Sequence, residues 1–126
     1  MTIRELVGGE VVEIEDSRTL REATRLMTAN EVGALAIGHD GRLVGIITER
    51  DVLRACAEDT DLDSVPVRAW MTRDPDSLDP DMEVEAAADW MLAAGYRHLP
   101  VVEGVGLVGM ISVIDILWAL TDPGGV

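Results

Sequence analysis

Gly45-Ile46-Ile47-Thr48-Glu49-Arg50-Asp51 decides the fold, because it returns as Gly109-Met110-Ile111-Ser112-Val113-Ile114-Asp115. Each copy runs from glycine through a short apolar stretch to a hydroxyl residue, then two residues, then aspartate. The offset is 64, and it holds outward without a gap. Residues 20–55 lie over residues 84–119 and pair Ala23 with Ala87, Met27 with Met91, Leu35 with Leu99, Leu43 with Leu107, Leu53 with Leu117 and Ala55 with Ala119. A repeat of this length is one supersecondary unit used twice. Two such units facing each other would enclose a cleft, and a cleft is where a small-molecule site is expected.

Each repeat reads as a short extended lead followed by helix, strand, strand and helix. In the first, Val11, Val12 and Ile14 stand among acids as a strand does. Thr19 and Glu22 have the capping-box spacing, and Leu20, Ala23, Leu26 and Met27 follow at helical spacing. That helix is expected to end near Glu31–Gly33. Ala34–Ile37 reads as a buried strand, His39-Asp40-Gly41 as a turn, Leu43–Ile47 as the return strand, and Thr48–Ala57 as a capped second helix. The second repeat gives the lead Ser77–Leu78 between Pro75 and Pro80, then a helix through Val84, Ala87, Ala88, Met91 and Leu92. Strands Leu99–Val102 and Leu107–Ile111 follow, then a helix over Ser112–Leu120. Val67–Met71 suggests a short helical turn in the connector. The expected division is repeat 1 at 5–57, connector at 58–70, repeat 2 at 71–120 and a flexible tail at 121–126.

Composition limits the function classes. Of 126 residues, 48% are apolar, enough for a folded core, with three Trp, one Tyr and no Phe. The net charge is −14, from 24 acids against ten bases, and every base is Arg. Such a surface repels nucleic-acid phosphates and anionic lipid, so neither is an expected partner. The acidic run Glu58, Asp59, Asp61, Asp63 reads as a solvated loop. Cys56 is the single cysteine. It allows no intrachain disulfide and reads as a small buried side chain. There is no leader-like start, and the longest apolar stretch, Val105–Ile114, is too short to span a bilayer, so a cytoplasmic protein is expected.

The strand-end motif can serve two ends. Thr48 with Asp51, and Ser112 with Asp115, have the spacing of helix N-caps, and a cap is reason enough for them. An ionised carboxylate is also a pure acceptor matched to two vicinal ribose hydroxyls, beside the free amides of a helix N-terminus. Gly45 and Gly109 would permit close backbone approach. Leu35, Ile37, Leu99 and Val101 could line a wall for a flat base. Arg50, Arg97 and His98 are the candidate phosphate contacts. Their counterparts, Ile114, Gly33 and Ala34, carry no charge, so the two sites are chemically unequal. Pro100 stands where the first repeat has Ala36. Other chemistry fails on spacing. The Asp59/Asp61/Asp63 run lacks the glycine and glutamate of a calcium loop, and one Cys with two distant His makes no closed zinc site. No nucleophile has a base at a recognisable spacing, so no catalysis is expected.

The paired motif, with Arg97-His98-Leu99-Pro100-Val101-Val102 and Met71-Thr72, resembles the CBS-domain family, whose repeats come in pairs called Bateman modules; the likeness covers roughly residues 5–120. The resemblance implies an α+β fold: tandem β-α-β-β-α repeats related by a pseudo-two-fold axis. It implies a regulatory sensor of an adenosine-containing ligand (AMP, ADP, ATP or S-adenosylmethionine) held in the cleft between repeats. Carried over by position, Asp51 and Asp115 would accept from the ribose, with Thr48 and Ser112 near the ribose or phosphate. It also implies a homodimer, with Leu53, Leu117 and Trp118 as contact candidates, and an effector protein that reads the bound state. The rival reading is a structural or interaction module that takes no small molecule, in which both aspartates only cap helices.

Overall fold

A computed structural model describes residues 1–8 and 11–121. The chain divides into two compact units. The first-repeat unit is Val11–Pro75, and the second-repeat unit gathers the described residues of Met1–Glu10 and Asp76–Val126.

In the first-repeat unit, β1 (Glu13–Glu15) pairs in parallel with β2 (Ala34–His39). Strand β2 turns back into β3 (Arg42–Thr48), and the two-residue β4 (Thr72–Arg73) adds to the far side of β3. Only Ile14 of β1 faces inward, as its alternation with acids predicts. Asp40 and Gly41 close the hairpin with positive φ at both central positions, a conformation that Gly takes at little cost and Asp tolerates. Helix α2 (Leu20–Asn30) begins on the Thr19/Glu22 capping box and ends where Glu31 turns left-handed. Helix α3 (Glu49–Ala57) begins on Thr48. Leu20, Ala23, Met27, Leu35, Ile37, Ile47, Ala55 and Val67 fill the core under Ile14.

The second-repeat unit contains α1 (Ile3–Leu6), α4 (Val84–Ala94), the hairpin β5 (His98–Glu103) and β6 (Gly106–Ser112), and α5 (Val113–Thr121). Thr121 closes α5, and the rest of the expected tail, 122–126, lies outside the described residues. Both hairpins share one register. Ala34 faces Thr48 as His98 faces Ser112, and the irregularity between Ile37 and Gly38 returns between Val101 and Val102. The leads differ. The Ala36 amide donates to the Val12 carbonyl at 3.2 Å, a bond its counterpart Pro100 has no N–H to make. Ser77–Leu78 accordingly forms only a bridge from Leu78 to Val101 where the first repeat forms β1.

The duplication reaches further back than residue 20. In the second-repeat unit, the amides of Ile3, Arg4 and Val84 donate to the carbonyls of Met82, Pro80 and Met1. In the first-repeat unit, those of Val67, Arg68 and Leu20 donate to Arg18, Asp16 and Val65, each bond shifted by the same offset. Ile3 and Val67 are both fully buried. Each lead therefore precedes one repeat in sequence and completes the other in space. Residues 5–8, read with repeat 1, fold with repeat 2, and Met71-Thr72, read as the entry to repeat 2, folds with repeat 1. Val67–Ala69 is a 3-10 turn, shorter than the Val67–Met71 expected.

Candidate functional site

The two motifs stand where β3 runs into α3 and where β6 runs into α5. The Thr48 hydroxyl accepts from the Asp51 amide at 3.3 Å, and Asp51 Oδ2 accepts from the Thr48 amide at 2.8 Å and the Thr48 hydroxyl at 3.1 Å. The Ser112 hydroxyl accepts from the Asp115 amide at 3.1 Å, and Asp115 Oδ2 accepts from the Ser112 amide at 2.8 Å. These are reciprocal capping boxes, each using one carboxylate oxygen. Capping and ligand contact are therefore not alternatives at the atomic level, since the second oxygen is not needed by the cap.

The carboxylates differ in setting. Asp51 is buried, and its Oδ1 lies 3.9 Å from an Arg54 guanidinium nitrogen one helical turn on. Asp115 is exposed, and the position equivalent to Arg54 is Trp118. Arg54 was not among the residues singled out in the sequence, although its i, i+3 spacing from Asp51 was visible there.

The remaining candidates sort by repeat. Arg50 is exposed in the first turn of α3. Arg97 is exposed, and its carbonyl accepts the first amide of α5, Val113, at 2.9 Å. His98 is half-buried and faces Ser112 across the hairpin, and Pro100 is buried two residues on. So Arg97, His98, Ser112 and Asp115 gather at one end of the second-repeat hairpin, while the first-repeat motif has Thr48, Arg50 and Asp51 beside Gly33 and Ala34.

Three expectations are corrected. Leu35, Ile37, Leu99 and Val101 form no wall for a base, because all four are at most 2% exposed and fill the cores of their own units. The close approach at the two glycines is made by the leads. A Cβ on Gly45 would lie 2.6 Å from Met71 Sδ and 2.8 Å from the Thr72 carbonyl oxygen, and one on Gly109 would lie 2.3 Å from Val7 Cγ1. Cys56 is exposed, because Ala55 takes the inward position on α3 and the next residue turns away from the core.

Other titratable groups are structural. His39 Nδ1 lies 3.2 Å from Asp16 and Nε2 3.3 Å from Asp40, and the Asp16 hydrogen bond foremost raises its pKa. Arg4 bonds Asp81 and Glu103, which raises the Arg4 pKa and lowers that of Glu103. Asp61 accepts from Ser64, which lowers its pKa, and so closes the acidic loop on itself. Among the described residues no three His, Cys, Asp or Glu side chains gather as a metal ion requires, and no helix is long and apolar enough to cross a membrane.

Comparison with known proteins agrees with this architecture. The CBS domain family matches residues 3–58 and again residues 67–122. A 17.7 kDa protein of Acidianus ambivalens is 38% identical over 95% of this chain and 73% of its own length. The CBS domain-containing protein YhcV of Bacillus subtilis is 31% identical over 91% of this chain and 82% of its own length. The structure of a CBS domain protein of Pyrobaculum aerophilum complexed with AMP superposes with a TM-score of 0.84 at 29% identity, covering 97% of this chain and 99% of that one. Two family matches over nearly the whole chain, with the register and motifs duplicated at one offset, make this protein a member of the CBS-domain family, built as a tandem CBS pair.

Proposed function

We propose that the protein is a regulatory module that binds an adenosine-containing nucleotide, with AMP the first candidate, through its strand-end Ser/Thr–Asp motif. The observation that carries this reading is the division of each carboxylate. Oδ2 is fixed by its own helix cap, so Oδ1 is presented in a set orientation as an acceptor for ribose hydroxyls. The hydroxyl and first-turn amides lie on the positive side of the helix dipole, which favours a phosphate. The AMP complex of the Pyrobaculum aerophilum relative supports this ligand class. The role is regulatory, and the mechanism is linkage: a nucleotide bound to one conformational or oligomeric state of the pair shifts the population toward it, and an effector protein reads the shift. We place the protein in the cytoplasm as a homodimer, with Leu53, Leu117 and Trp118, which are 70%, 49% and 71% exposed, as contact residues.

The test is thermal unfolding with AMP, ADP, ATP and S-adenosylmethionine. A ligand at about one hundred times its Kd stabilises by about 2.7 kcal/mol, and at least one of the four is expected to raise Tm accordingly. If none does, the carboxylates serve only as caps and the module is a structural or interaction unit.

A further inference from the structure

His39 ends β2 and stands between two carboxylates, with Nδ1 3.2 Å from Asp16 and Nε2 3.3 Å from Asp40. A neutral imidazole carries one N–H, so it can donate to one of them and must turn a lone pair toward the other. The imidazolium carries two and can donate to both. The setting therefore suits the charged ring, and the Asp16 hydrogen bond is the foremost cause of its raised pKa. Asp16 is also where a lead docks. Its carbonyl accepts the Arg68 amide at 3.2 Å, its own amide donates to the Gly38 carbonyl at 3.1 Å, and its side chain is 19% exposed. Beside it the Val67 amide donates to the Arg18 carbonyl at 2.7 Å. The other charged groups on the elements around the ring are Glu13 and Glu15 of β1, Arg18 (paired with Glu22), Arg42 across the hairpin, and Arg68 of the lead. With Asp16 and Asp40, carboxylates outnumber guanidinium groups there, so the local field also favours the imidazolium.

The second-repeat unit closes the same junction with a different cation. Glu103 ends β5 as His39 ends β2, and it is bonded by Arg4, which also reaches Asp81 at 3.1 Å. The Arg4 amide donates to the Pro80 carbonyl, as the Arg68 amide does to that of Asp16. A guanidinium keeps its charge at any physiological pH, whereas an imidazole loses it within that range. We propose that His39 is a proton-operated clasp of the first-repeat unit. With both ring nitrogens protonated it ties the hairpin end to Asp16 and steadies the lead docked at residues 67–71. As the ring becomes neutral the clasp loosens, while Arg4 holds the equivalent lead of the second-repeat unit unchanged. The lead runs on into β4, so the proton state of His39 reaches the strand beside β3.

The test is amide hydrogen exchange of the full chain, read by NMR between about pH 5.5 and about pH 8. Rates are corrected for the intrinsic pH dependence of exchange, and the Ile3 and Arg4 amides serve as the internal reference. Protection of the Val67 and Arg68 amides should fall about two- to five-fold against that reference as the pH rises, the size expected of an exposed ion pair. The midpoint of the fall should match that of the His39 ring resonance. His39→Gln, a change at an exposed position, should leave Val67 and Arg68 at the lower protection at every pH. His98→Gln should leave the fall in place. If Val67 and Arg68 keep step with Ile3 and Arg4 while the His39 ring titrates, the clasp is overturned. It is equally overturned if the fall persists in His39→Gln or disappears in His98→Gln.

Discussion

Thr48 and Ser112 hold the hydroxyl ends of the two capping boxes, and their removal is a matter of helix stability before it is one of binding. Thr48→Ala and Ser112→Ala should each cost about 1 kcal/mol in urea unfolding. At His39 the sign of the pH effect follows from its neighbours. The Asp16 hydrogen bond raises the folded-state pKa above the ordinary His value of about 6.5. The protonated ring is favoured in the fold, so its contribution is full below about pH 6.5 and fades as the pH climbs through the raised value. An NMR titration of the His39 ring should give a midpoint above about 6.5, and Asp16→Asn should bring it back down. A midpoint that ignores Asp16 would refute the pairing. The caps at Thr19, Thr48 and Ser112 were legible in the sequence because a hydroxyl with an acid three residues on carries its geometry in its spacing. Arg54 was hidden by the same rule, since an exposed helix Arg has many uses and only distance singles one out. The core positions Leu35 and Leu99 were misassigned because an apolar strand facing a ligand and one facing a core read alike.

Among the elements, hairpins and helices were visible from the period of their apolar residues, and their bounds moved by a residue or two. What stayed hidden was local pattern too short to have a period: α1, the two-residue β4, and the exchange of leads. The signal existed. Extending the offset backward pairs Ile3 with Val67, Arg4 with Arg68 and Val7 with Met71, but a repeat tells which segments are equivalent and not which repeat each one packs on. The glycines test the exchange. Gly109→Ala places a methyl closest to the Val7 side chain, whereas Gly45→Ala meets both the Met71 side chain and the Thr72 backbone. Each should cost about 1–3 kcal/mol. Adding Val7→Ala should recover most of the loss at Gly109, while adding Met71→Ala should recover little at Gly45, because a carbonyl cannot be trimmed away. Equal recovery in both double variants, read by urea unfolding, would contradict these contacts. Ile3→Ala should cost about 2–5 kcal/mol, as expected for a core residue rather than a terminal one.

For the whole molecule, duplication makes two equivalent frames and later substitution makes them unequal. Pro100 against Ala36 removes a strand. Trp118 against Arg54 removes a cation from beside a carboxylate. Arg4 meets Asp81 and Glu103 where the positions equivalent to those acids, Ser17 and His39, offer Arg68 no carboxylate, so among the described residues the Arg4 lead is held by ion pairs that the other lead lacks. The fold was legible because it is repeated, and the differences between the two repeats are few and local. The exposed apolar residues of α3 and α5 set the expected assembly. Sedimentation equilibrium should give a dimer of the 13.6 kDa chain, and Leu117→Glu with Trp118→Glu should give a monomer. A monomer before any substitution would refute the assigned contact. The most direct measurement of the regulatory role is a calorimetric titration of the purified chain with AMP. Saturable binding of AMP, lost when Asp51→Asn and Asp115→Asn are combined, is the expected result. An absence of saturable heat up to millimolar AMP, with ADP, ATP and S-adenosylmethionine equally silent, would leave two capped helices and no sensor.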